Sequence, residues 1–151
     1  MEKAAISSSN LDAFIEFLYE GLDGYVYVAG KDRSIENHFE QVFFQYPEQK
    51  DLISQAIQTI SDKADVYIAP AIFSKPDAGK ENFKATNVVW TEFDGNAPTW
   101  EDNSPSLIIQ SSDQTKQHVY WKLNEPITSV VDLELINKNI TYSMGADKGG
   151  W

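Results

Sequence analysis

Leu11, Phe14, Ile15, Leu18, Tyr19 and Leu22 recur at the three- and four-residue spacing of a helix face, behind an Asn10 whose side chain can cap the first turn. The chain is therefore predicted to open with an amphipathic helix that Gly21 and Gly24 end. A short β-rich run follows from Tyr25 to Ala29. Ile35, Phe39, Val42 and Phe43 again share a helical face, which predicts a second helix from about Ser34 to its close at Pro47. The stripe Leu52, Ile53, Ala56, Ile57 and Ile60 predicts a third between Pro47 and Asp62.

Beyond Asp62 the pattern changes. Asp65 to Ile72 reads as a strand, and Ser74 to Asn82, with Pro76 and Gly79, as a polar surface loop. Asn87 to Asp94, Ser106 to Gln110 and Gln117 to Leu123 are rich in Val, Ile, Trp and Tyr and are separated by Gly, Pro, Asn and Ser clusters, so they are predicted to be consecutive antiparallel strands. A last helix is predicted from Asp132 to Met144, with Leu133, Ile136, Ile140 and Met144 on one face and Gly145 in the stop position. This order of elements predicts an α+β fold, helices packed on a sheet, in one domain over residues 1–151.

Composition narrows the chemistry. A chain of 151 residues, 42% hydrophobic and 13% aromatic, can bury a core without covalent staples. The absence of cysteine excludes a disulfide framework, a thiolate zinc site and a cysteine nucleophile, leaving oxygen and imidazole ligands. Met1 to Asn10 lacks the apolar run of a signal peptide, and no later stretch approaches the roughly 20 apolar residues of a membrane span, so a cytoplasmic protein is expected. A formal net charge of −11 opposes a surface that grips phosphates everywhere. Any nucleic-acid groove must be a local basic patch or lie in sequence outside this chain.

Three sets of residues could carry chemistry. Glu92 and Asp94 flank Phe93 at the end of an apolar strand, and period-two geometry sends both carboxylates to one face. Like charges so placed disfavour each other's ionisation, a conflict that Mg²⁺ or Mn²⁺ resolves with hard oxygen ligands. The same residues also read as the start of a solvated turn, Asp94-Gly95-Asn96. Next come Ser111-Ser112 and then His118, an imidazole on a neighbouring strand that can donate to a phosphate oxygen or simply stand half exposed. His38 reads as an ordinary helix residue. The third candidate, Asp147 in Gly145-Ala146-Asp147-Lys148, also fits a plain turn.

As an ordered set these elements resemble the archaeo-eukaryotic primase superfamily, in particular the primase-polymerase domains of plasmid and phage replication proteins. Val88-Val89-Trp90-Thr91-Glu92-Phe93-Asp94-Gly95 is similar to the family's acid-x-acid strand. Pro105 to Ser112, followed by His118-Val119-Tyr120-Trp121-Lys122-Leu123, is similar to its serine and histidine motif, with Asp113 to Gln117 where the family has glycines. Gly145-Ala146-Asp147-Lys148 is similar to its third acid.

The resemblance implies an RRM-like antiparallel sheet and template-directed nucleotidyl transfer, with Glu92, Asp94 and Asp147 as ligands of two Mg²⁺ or Mn²⁺ ions. It implies that His118 and Ser112 hold the incoming triphosphate, with Lys84 and Lys116 as further candidates. The implied partners are a DNA template and primer, nucleoside triphosphates, and a fused helicase or other replication domain. The family continues past the third acid into a basic segment, so the chain is expected to be the N-terminal fragment of a longer protein, weak in DNA binding by itself. A metal-dependent nuclease or other phosphotransferase uses the same carboxylates, and a non-catalytic module binding nucleic acid or a partner is the other alternative.

Overall fold

A computed structural model describes residues 8–32, 39–62, 64–100, 104–110 and 116–146. In chain order these are α1 (Ser8–Tyr19), β1 (Gly24–Asp32), β2 (Phe39–Tyr46), α2 (Lys50–Ser61), β3 (Ala64–Ile68), β4 (Ala71–Phe73), β5 (Phe83–Asp94), β6 (Leu107–Gln110), β7 (Lys116–Ile127) and α3 (Val130–Met144). The fold is mixed α+β, and the described strand pairs β1–β2, β1–β3, β1–β4, β4–β5 and β6–β7 are antiparallel. Two compact units divide the described residues, one within Ala5–Thr86 and the other within Asn87–Trp151. β5 contributes its first residues to one and its last to the other.

In the unit Ala5–Thr86, α2 packs on β1, β2 and β3, and α1 packs on α2 and β4. The stripe of α1 is buried at Leu11, Ile15, Leu18 and Tyr19, as its spacing predicts, and Ile53, Ile57 and Ile60 of α2 are buried with Val26 and Val28 of β1. The helix starts at Ser8, so Asn10 lies inside its first turn and is not its cap. Gly30 is the point of closest approach, where an added Cβ would collide with Ile60 Cγ2. The Tyr19 hydroxyl donates to the Ala69 carbonyl, and its ring meets Tyr46 at 5.5 Å.

Two predicted elements are corrected here. The segment read as a helix closing at Pro47 is the strand β2, paired with β1 from Phe39 to Tyr46. Phe39, Val42 and Phe43 satisfy a helical spacing by chance, but β-branched and aromatic side chains also suit a pleated surface, and the available β1 partner decides the outcome. Tyr27 and Phe43 stack across that pair at 5.3 Å. Likewise, the strand read from Asp65 to Ile72 is two strands, both against β1, separated at Ala69–Pro70. Pro70 has no N–H to give to a ladder, and its carbonyl instead accepts from the Thr86 hydroxyl at 3.2 Å.

In the second unit β5 neighbours β7, and β7 pairs with β6. Helix α3 begins at a Ser129 whose hydroxyl accepts from the Asp132 amide, and it ends at Gly145 with φ +67, in the predicted stop position. Its buried face differs from the predicted stripe: Leu133, Asn137 and Thr141 are buried, whereas Ile136 is exposed. The reason is polar. Asn137 Oδ1 accepts from the Trp90 amide at 3.0 Å, and the Thr141 and Thr91 hydroxyls share a bond of 2.8 Å. Among the described residues no buried side-chain polar atom lacks a partner.

Replacing Asn137 with Leu keeps the branching and heavy-atom count of the side chain but strips the part-buried Trp90 N–H of its acceptor. A loss of about 1–3 kcal/mol in unfolding free energy is expected, measured by urea denaturation, with native-like circular dichroism retained.

Candidate functional site

From Val89 onward β5 alternates strictly. Val89, Thr91 and Phe93 are buried, while Trp90 and Glu92 are half buried and Asp94 is exposed. The buried set faces α3 and a cluster in which Phe93, Val119 and Ala146 are joined by Ala97, Trp100, Trp121 and Met144. Phe93, Trp100 and Trp121 meet edge to face at 5.9 and 5.8 Å. Trp100 Nε1 also donates to Gln117 Oε1 at 3.1 Å, which places odd-numbered β7 residues on this same side.

The other face of the pair carries the charges. His118 Nε2 stands 3.4 Å from Glu92 Oε1, and Lys116 Nζ stands 3.6 Å from Asp94 Oδ1. The two contacts step forward along β5 and backward along β7, as cross-strand neighbours on one face of an antiparallel pair do. Extending that register one repeat inward sets Trp90 opposite Tyr120. On the far side of β7, Leu107 faces Tyr120 and Ile109 faces His118. The face therefore grades from aromatic and buried to charged and open, with side-chain exposure rising from 36% at Glu92 to 66% at Asp94.

Tyr120 reports this gradient. Burial pushes its hydroxyl up to about 12, and the Glu92 carboxylate adds to the push. Lys116 offsets part of the carboxylate charge on β5 locally, in a chain whose formal net charge is −11.

Of the residues singled out by sequence, Glu92, Asp94, His118 and Lys116 are brought together. Lys84 belongs to the unit Ala5–Thr86, where its ammonium donates to the Asp23 carbonyl. Ser112, Asp147 and His38 lie outside the described residues. The helix end preceding Asp147 is tied to the turn after Asp94, because Asn96 Nδ2 donates to the Gly145 carbonyl at 2.6 Å. Trp90 and Tyr120 were missed as members of this face, although period-two steps back from Glu92 and forward from His118 point to them.

Glu92 and Asp94 suit a hard divalent cation. Mg²⁺ takes one or two carboxylates and completes its shell with water and substrate phosphates, and alternate strand positions offer two such carboxylates about 7 Å apart at the backbone. Among the described residues no group of three acids or histidines forms a closed metal cage. No protein family model, curated protein or solved structure matches the chain.

The raised tyrosine sets a pH signature. An unfolded tyrosine ionises near 10, so the stabilisation held by neutral Tyr120 is complete below about pH 10 and is lost as the pH rises to about 12. Between those limits the wild type should lose up to about 2–3 kcal/mol more than Tyr120→Phe, read by urea denaturation at each pH. Tyr27 and Tyr46, also pushed up by burial, cancel in that difference.

Proposed function

We propose that this chain carries the catalytic core of a primase-polymerase, an RRM-like domain that transfers nucleotides to a primer 3′-hydroxyl on a DNA template. The observation that supports this reading best is the adjacency of two carboxylates, Glu92 and Asp94, to two phosphate-binding bases, His118 and Lys116, on one open strand face. Carboxylates that can hold a metal beside groups that can meet phosphate oxygens are an arrangement suited to phosphodiester chemistry.

In this reading Glu92 and Asp94, with Asp147, hold two Mg²⁺ or Mn²⁺ ions. When bound, such ions would supply a lowered pKa at the attacking hydroxyl and charge stabilisation at the departing pyrophosphate. The chain's own residues do the rest. Both contacts are about half exposed, and an exposed pair such as Lys116–Asp94 is worth at most about 1 kcal/mol. His118 and Lys116 therefore turn from the carboxylates to phosphate oxygens at small cost, and they hold the triphosphate in line for attack. Ser112 assists them. The acidic remainder of the chain repels DNA at long range, so template contacts come from a fused basic segment or replication domain of a phage- or plasmid-type protein acting in a bacterial cytoplasm.

Removing a direct metal ligand should cost at least as much as losing a supporting residue, which is about 10–100-fold. Asp94→Ala is therefore expected to weaken Mn²⁺ binding by this chain about 100-fold or more. The same change is expected to abolish primer extension with dNTPs, while circular dichroism shows the fold intact. Wild-type-like extension by the variant would falsify the reading. Metal-dependent DNA cleavage in place of extension would instead assign the same carboxylates to a nuclease.

A further inference from the structure

We infer that Trp90 is the platform on which the nucleobase of the incoming nucleoside triphosphate stacks, an inference that rests on the nucleotidyl-transfer reading above. Trp90 is on the same face of β5 as Glu92 and Asp94, one strand repeat inward. It is the one tryptophan of β5 and β7 that the buried cluster leaves out, since Trp121 packs with Trp100 and Phe93 on the opposite face. Its backbone is fixed by the Asn137 bond, and the residue is half buried, neither sealed in the core nor fully exposed.

The order of groups along this face matches the order of groups in a nucleotide. Trp90 and Tyr120 form an aromatic step, Glu92 and His118 the next, and Asp94 and Lys116 the outermost, each about 7 Å from the last. A base on Trp90 puts its sugar beside Glu92 and its phosphates toward His118 and Lys116, at the open end of the strand pair. Stacking suits all four bases, because every base offers a π face, and a template-directed enzyme must leave base choice to pairing. Leu107 and Ile109 lie on the far side of β7, where they flank Tyr120 and His118 and wall the site without offering an aromatic surface.

The test compares two probes, dATP and inorganic triphosphate, each titrated in the presence of Mn²⁺ into the wild-type chain, Trp90→Phe, Trp90→Leu and Trp90→Ala. Loss of one base–aromatic stack weakens binding roughly 5- to 150-fold. Trp90→Ala and Trp90→Leu are expected to lose dATP affinity within that range and to keep that for inorganic triphosphate, whereas Trp90→Phe retains most of both. The leucine variant fills the site without a stacking face, so a merely structural role for Trp90 would spare it. Unchanged dATP affinity in Trp90→Leu, with triphosphate still bound, would overturn the stacking platform and leave the phosphate and metal site standing. Failure of the wild type to bind either probe would overturn both.

Discussion

The rotational setting of β5 beneath α3 is the constraint from which the rest of the second unit follows. A strand sends alternate side chains to opposite faces, and a slip of one residue would exchange them all. Here two polar contacts hold the setting. Asn137 accepts from the Trp90 amide, and Thr141 meets Thr91, both buried, so the odd-numbered residues of β5 must face the helix. With that fixed, Phe93 enters the aromatic cluster with Trp100, and Glu92 and Asp94 have only the other face to occupy.

This arrangement separates stability from chemistry. The face under α3 carries the apolar burial and the satisfied polar groups, while the opposite face carries charges that contribute little to folding because they stay half in water. Such charges are free to exchange partners. A carboxylate paired with a lysine at 3.6 Å and half exposed can trade that lysine for a cation or a solvent molecule without unfolding anything. In a chain of net charge −11, Lys116 beside Asp94 places a cation where a face lined by acids alone would repel anions.

The carboxylate face was legible because Glu92-Phe93-Asp94 is short and alternation is local. Likewise Gly145 announced the end of α3, since a left-handed terminal residue favours glycine and the apolar pattern stops there. The pairing of His118 with Glu92 and Lys116 with Asp94 was not legible, because it depends on the register between β5 and β7 across the long stretch between them. Nor was the burial of Asn137 and Thr141: hydrophobic periodicity turns α3 toward Ile136, and only the position of Trp90 and Thr91 explains why polar side chains face inward. β2 was misread for the opposite reason, since Phe39, Val42 and Phe43 fit a helical spacing while Phe39 and Phe43 also fit a strand spacing, and the β1 partner chose between them. The division of the strand after Asp65 followed from Pro70, a signal present in the sequence but passed over.

Whether the open face of β5 and β7 is a metal and phosphate site is read most directly by paramagnetic broadening in an amide NMR spectrum of the chain titrated with substoichiometric Mn²⁺. A specific site broadens amides of residues 92–94 and 116–118 first, and Asp94→Asn removes that effect. Broadening spread over the acidic surface, with those amides no more affected than the rest and the variant unchanged, would contradict a catalytic centre at this place in the fold.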